Sequence, residues 1–297
     1  MNHMITVFTA SYNRGSLLPV LYKSLCAQTY HDFEWVIVDD GSTDQTDAIV
    51  TAFQQENLIR IQYVKQKNGG KHRAINHGVK LATGELFFII DHDDWLPEDS
   101  LAKLSHYYDE IRENSQFAGV CGMRFTPEGE RIGGDVLFSV QDMTLNDFYY
   151  KYKYKGDLGV AFKTEILEKY PFPDFPGEKF CSESCIWLKI SGAYLLRFFN
   201  ENIYICKYLA DGQSPASCRN RMKSPRGSVL LYRERLRMDT LIQYKIRNAI
   251  NLWRFYFCLS PEYRKEAIQG IPFWSYFFFF WGFGMHLKDM KQEKRRI

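Results

Sequence analysis

The chain has 297 residues, 45% hydrophobic and 25% charged, a globular composition rather than a disordered one, and long enough for one large α/β domain or a domain with an appendage. Seven cysteines, an odd number with no Cys-x-x-Cys pair, argue against a disulfide framework or a zinc site and for free thiols. The net charge of +3 hides an asymmetry: residues 219–297 hold 17 Lys and Arg against 6 Asp and Glu, so residues 1–218 hold 21 against 29. An acidic first part suits a metal–nucleotide site, and a basic second part suits an anionic surface.

In chain order, Ile5 to Thr9 reads as a first strand, with no basic segment and apolar run before it. A signal peptide is therefore not expected, and the cytoplasm is the default compartment. Leu17, Leu21 and Leu25 mark a helix, Phe33 to Val38 a second strand, and Asp44 or Thr43 caps a helix running to Gln55. Ile59 to Val64 is a third strand. Residues 68–78 form a glycine turn into a third helix, and Leu86 to Ile90 is a fourth strand. Strands alternating with helices predict a parallel α/β sheet. Beyond a helix from Asp99 to Ile111 the pattern loosens, with weaker strands at Gly119–Phe125, Gly159–Lys163, Tyr194–Phe198 and Tyr204–Tyr208. Glu183 to Ile190 is a short helix, Ser228 to Cys258 a long or broken basic one, and Ile271 to Leu287 an aromatic block before a basic tail.

Asp91, Asp93 and Asp94 end the fourth strand together. Like charges crowded this way are costly without a positive partner, and Mg²⁺ or Mn²⁺ bridging to phosphate is a ready one. An acidic turn ahead of the helix near Pro97 would carry the same residues, so the features upstream matter. Ala10-Ser11-Tyr12-Asn13, Asp39-Asp40-Gly41-Ser42, Asn68-Gly69-Gly70-Lys71 and Asp91-His92-Asp93-Asp94 all fall at strand carboxyl ends. In this order and spacing they resemble the nucleotide-sugar half of family 2 glycosyltransferases with the A-type fold, over residues 5–100 and more thinly to about 230.

The resemblance implies a single Rossmann-like A-type glycosyltransferase domain with a mostly parallel sheet at residues 1–225, with a donor half at 1–100 and an acceptor half at 101–225. Residues 226–297 are then a helical, membrane-associating appendage. It further implies a metal-dependent, inverting, non-processive transferase moving a sugar from a UDP-sugar to a glycan acceptor, lipid-linked, in bacterial-type surface polysaccharide assembly. By matching positions, Ala10, Ser11 and Tyr12 line the base and ribose, and Asp40 accepts the uracil imide N–H. Lys71 meets the nucleotide or pyrophosphate, Asp91 the ribose or sugar, and Asp93 the Mn²⁺ or Mg²⁺. The base that deprotonates the acceptor is Glu183, with Glu178 as its rival because Glu183-Ser184 stands where the family often has Glu-Asp. Tyr208 to Ser214 and Ser224 to Gly227 resemble the segment closing over the donor, with Arg219, Arg221 and Arg226 available to diphosphate. Another nucleoside diphosphate sugar, or a silent binding module on the same fold, stays open as an alternative. No nucleic-acid motif is present. The aromatic block of 17 residues is short for a span and is followed by lysines and arginines, which predicts an anchor lying on the cytoplasmic face of the membrane.

Overall fold

Nearly every side chain of β1 (Ile5–Ser11) and β2 (Phe33–Asp39) is buried in the computed structural model of the chain, which describes residues 5–207, 213–238 and 240–295. Burial on both faces is what a central parallel strand requires, and it explains why these segments are apolar runs instead of alternating ones. The chain forms two compact units, Met1–Pro171 with Ile190–Tyr208, and Phe172–Lys189 with Leu209–Ile297. They part at other places than residue 225.

In the first unit, α1 (Leu18–Cys26) follows β1, and α2 (Thr46–Glu56), β3 (Arg60–Lys65), α3 (Lys71–Leu81), β4 (Leu86–Ile89) and α4 (Ser100–Asp109) follow β2. Next come β5 (Phe117–Phe125), β6 (Val140–Met143), α5 (Leu145–Lys151), β7 (Gly159–Lys163) and α6 (Thr164–Lys169). After α7 (Ser184–Ser191), within which the units divide, β8 (Leu195–Ile205) completes the sheet.

Among the described residues eight strands form one sheet in the order β3-β2-β1-β4-β7-β5-β8-β6. The first four are parallel, as expected from the alternation of strands and helices. The second half is mixed: β7 runs antiparallel to both β4 and β5, and β6 antiparallel to β8. Two separately expected strands, Tyr194–Phe198 and Tyr204–Tyr208, meet in β8, which ends at Ile205; Tyr208 lies outside the described residues. The polar Asn200-Glu201-Asn202 between them interrupts the apolar pattern, but β5 accommodates it through register shifts. Strand β6 is short and half-exposed at the sheet edge, so it carries no apolar signature.

The second unit is helical: α8 (Gln213–Lys223), α9 (Pro225–Arg237), α10 (Ile242–Tyr256), α11 (Pro261–Ala267), a 3₁₀ segment at Phe273–Phe278 and α12 (Phe279–Lys294). The basic helix expected over Ser228–Cys258 is thus broken, with extended backbone at Met238 and Leu241. Val229, Tyr232, Leu236, Leu252, Trp253 and Phe255 form its core, joined by Trp274, Phe278 and Phe279 from the aromatic block.

Candidate active site

Strand order runs from β1 to β2 and β3 on one side and to β4 on the other, so the sheet's switch point lies at the carboxyl ends of β1 and β4. That is where open α/β sheets bind ligands. The loops there are clasped to one another. Asn13, with φ of 53°, donates its amide to Ser42 Oγ at 2.9 Å, and its side-chain Oδ1 accepts the Thr43 amide at 2.7 Å. Asp39 Oδ1 accepts the Ser42 amide at 2.7 Å and Oδ2 accepts the Tyr63 hydroxyl at 2.8 Å. Asp44 accepts the Gly15 amide at 3.1 Å and the Thr46 amide at 3.1 Å. Burial works against the charge on Asp44, but these bonds to its ionised form win and lower its pKa.

Asp40 is 4% exposed, and its carboxylate accepts four hydrogen bonds. Gln66 Nε2 and the Gly69 amide donate to Oδ1, each at 2.8 Å; Asn68 Nδ2 at 3.1 Å and the Gly70 amide at 2.7 Å donate to Oδ2. The resemblance assigns this carboxylate to the uracil imide. Here its lone pairs are instead taken up by the turn that opens α3, and an imide N–H would have to displace one of the four. Glycine is required on both sides of this clasp: Gly41 has φ of +86° and lies where a Cβ would come within 2.9 Å of the Asn68 nitrogen, and Gly70 has φ of +98°. The turn delivers Lys71, whose Nζ meets Asp91 Oδ1 at 2.5 Å.

The three carboxylates after β4 are in three different states. Asp91 is half-buried; burial would raise its pKa, but Lys71 and then Arg124 outweigh that and hold it at about 2. Asp94 is 4% exposed, and burial followed by repulsion from Asp91 pushes its carboxyl up to about 7. The Tyr204 hydroxyl donates to Asp94 Oδ2 at 2.8 Å and accepts the Asp91 amide at 2.9 Å, while Asp94 Oδ1 accepts the Lys207 amide at 3.1 Å. Asp93 is partly exposed and, among the described residues, has no hydrogen-bond or ion-pair partner.

Arg124, at the end of β5, lies over the Tyr204 ring with its guanidinium carbon 3.8 Å from the centroid, and its Nε donates to the Leu158 carbonyl at 2.9 Å. Burial opposes its charge, but Tyr204, Asp91, Asp157 and Asp94 more than offset this and raise its pKa. Ala10 and Ser11, expected just past the first strand, are the last two residues of β1, and the Tyr12 ring beyond them is half exposed.

In the second unit, the Glu178 carboxylate is buried and accepts the amides of Arg226 at 2.8 Å and Gly227 at 3.0 Å. It caps the first turn of α9, a structural use of the carboxylate that was expected as the rival base. Glu183 is half-buried one residue before α7, its carbonyl accepting the Trp187 amide at 3.1 Å. Arg226, expected at the diphosphate, is instead stacked between Phe175, with its guanidinium carbon 4.5 Å from that centroid, and Tyr263, at 4.0 Å. Arg219 pairs with Glu293 at 2.6 Å, and Arg221 lies over Phe180 at 5.4 Å. Residues 208–212 of the segment expected to close over the donor lie outside the described residues.

Residues 6–159 match the model of glycosyl transferase family 2. Glycosyltransferase GlyG of Streptococcus pneumoniae serotype 4 is 36% identical over 228 residues, 69% of this chain and 71% of that one. The chain belongs to family 2. Its glycosyltransferase relatives include the GalNAc(5)-diNAcBac-PP-undecaprenol beta-1,3-glucosyltransferase of Campylobacter jejuni, 28% identical over 63% of this chain and 59% of that one. Among solved structures, the S. aureus TarS 1-349 complex with UDP-GlcNAc aligns with a TM-score of 0.61 at 19% identity, over 96% of this chain and 88% of that one. The Pyrobaculum calidifontis mannosyltransferase PcManGT, in complex with GDP-Man and Mn²⁺, aligns at 0.56 and 20% identity over 90% and 74%. These two likenesses show the fold.

Among the described residues no group of three or more His, Cys, Asp or Glu is arranged around a cation position. Magnesium-type sites, however, take one or two carboxylates and complete their shell with substrate phosphates and water, and Asp93 offers such a carboxylate. The residues fit a metal that arrives with its nucleotide. Arg124 and Tyr204 are the site residues that sequence reasoning missed in this glycosyltransferase. Arg124 stands at a strand carboxyl end, which was a signal available; Tyr204 gave none, being 110 residues from the Asp94 it holds.

Proposed function

We propose that this glycosyltransferase moves one sugar per encounter from a UDP-sugar to a lipid-linked glycan acceptor, with inversion and with Mn²⁺ or Mg²⁺ bound at Asp93. One observation carries the reading: at the switch point, Asp91 and Asp94 are engaged by Lys71 and by Tyr204 with the Lys207 amide, while Asp93 keeps its carboxylate unpartnered. A cation at Asp93 would stabilise the negative charge of the departing diphosphate.

The chain's own residues do the rest. Ala10, Ser11 and Tyr12 provide the floor for base and ribose, and Lys71 keeps Asp91 ionised as an acceptor for ribose or sugar hydroxyls. Glu183 is assigned as general base: it takes the acceptor hydroxyl proton as that oxygen bonds to the anomeric carbon and the bond to the diphosphate breaks. One base and one displacement invert the anomeric centre. A UDP-GlcNAc complex in a neighbour of the same fold supports the donor class, and a relative named for a PP-undecaprenol acceptor supports a lipid-linked one. Such a substrate places the enzyme in surface polysaccharide assembly, as a peripheral protein on the inner face of the cytoplasmic membrane. No helix among the described residues is long and apolar enough to cross a membrane.

A different nucleoside diphosphate sugar is favoured by one observation, the engagement of Asp40 by four protein donors, which takes away the group that would read uracil. A panel of UDP-, GDP- and dTDP-sugars, assayed by nucleotide release with Mn²⁺, with Mg²⁺ and with chelator, tests both readings. Release from UDP-sugars alone, abolished by chelator, supports the first; release from a GDP-sugar alone supports the second. Full turnover in excess chelator would remove Asp93 from its role.

A further inference from the structure

The aromatic block splits by face. Trp274, Phe278 and Phe279 pack on the helical core, Ser275 is buried with its carbonyl accepting Trp253 Nε1 at 2.8 Å, and Gly282 sits where a Cβ would come within 2.3 Å of Trp253. Two turns further on, Asp289 is buried and takes two hydrogen bonds from Arg254, at 2.5 and 2.7 Å. Ser275, Gly282 and Asp289, seven residues apart, are one side of a helix. They fix which side of this segment faces outward.

The outward side is apolar for its first four turns. Phe273 is 82% exposed, Phe277 70%, Phe280 78% and Trp281 63%, and Gly284 and Leu287 continue the stripe at spacings of three and four. The same face then turns basic, with Lys288, Lys291 and Arg295 all exposed. Aromatic side chains ahead of clustered cations complement a surface that is apolar within and anionic at its edge. That is the character of an anionic bilayer.

We propose that this face of α12 and its preceding turn is a docking surface for anionic lipid, with Phe273, Phe277, Phe280 and Trp281 entering the headgroup boundary and Lys288, Lys291 and Arg295 meeting lipid phosphates. This deepens the peripheral-membrane reading above, on which it rests, by naming the residues and the lipid class. It also accounts for the aromatics of the block that do not pack on the helical core: the two sides of one helix serve two environments. A second copy of the chain is the competing occupant, and the test separates the two.

The full chain is floated with vesicles of phosphatidylcholine alone and with added phosphatidylglycerol, at low and at high salt, beside sedimentation equilibrium without lipid. The expected result is flotation with the anionic vesicles that weakens in high salt. Replacing Lys288 and Lys291 together by Gln should reduce binding about fivefold per charge, and Phe277→Ser with Phe280→Ser by roughly tenfold or more. These side chains are exposed, so thermal unfolding and nucleotide release without vesicles should not change. Absence of flotation at low salt overturns the proposal, as does flotation that both variants leave intact. A concentration-dependent dimer dissolved by the Phe pair, in a chain that stays off vesicles, assigns the face to self-association. Nucleotide release in the same samples reports separately on the transferase reading, so either can fail alone.

Discussion

Replacing Asp40 by Asn discriminates between two roles of one carboxylate. Asn is nearly isosteric but keeps one acceptor oxygen where Asp40 has two, and it sets an NH₂ against two N–H donors. Depending on its orientation, either the Gln66 and Gly69 pair or the Asn68 and Gly70 pair loses its acceptor. Hydrogen bonds to a charged group contribute about 1.5–3 kcal/mol each, so the loss of two in a buried site costs on the order of 3–6 kcal/mol. For a domain of this size that is a fall of roughly 10 °C in Tm. Differential scanning calorimetry of the unliganded chain measures it. If the Asn variant melts with the wild type while losing UDP affinity by calorimetric titration, the carboxylate faces the nucleotide and the reasoning from the four bonds is wrong. A large stability loss with undiminished UDP affinity removes Asp40 from base recognition.

Asp93→Ala should nearly abolish transfer with little change in Tm, because the side chain has no protein partner to lose; a stability loss beyond about 1 kcal/mol would show that it is structural. Glu183→Gln should lower turnover about 10²–10⁴-fold and spare UDP binding, whereas Glu178→Gln should destabilise the helical unit by about 1–2 kcal/mol through the α9 cap; an inactive Glu178→Gln beside an active Glu183→Gln reverses the assignment. Tyr204→Phe removes the hydroxyl shared by Asp91 and Asp94 and should cost about 1–3 kcal/mol; a variant as stable as wild type, with unchanged Mn²⁺ dependence, contradicts the positioning role. Asp94 sits at about 7 in the fold against an ordinary carboxylate range when unfolded. Its neutral form favours the fold, so the metal-free chain should lose stability as pH rises from about 4 to 7, a slope absent from Asp94→Asn in urea titrations.

The parallel half of the sheet was legible because its information is local. β1, β2 and β4 are short buried strands and β3 a partly exposed one with Ile61 and Val64, each closed by turn residues, and the residues after them, from Asp39 to Asp44 and from Asn68 to Lys71, satisfy one another across neighbouring loops. Division of labour among the carboxylates was not legible. Asp91, Asp93 and Asp94 look alike as letters, and what separates them is Lys71 from the turn before α3, Arg124 from β5 and Tyr204 from β8. In the same way nothing in the sequence shows that Phe175 and Tyr263 stack on Arg226, or that Glu178 caps α9. Composition alone marked residues 271–287 as aromatic; their division into a packed side and an exposed one required Trp253 and Arg254 on another helix. Backbone pattern follows from each residue's own shape and polarity, but the state of a charged or amphipathic side chain depends on which partners the fold brings within hydrogen-bonding or stacking distance.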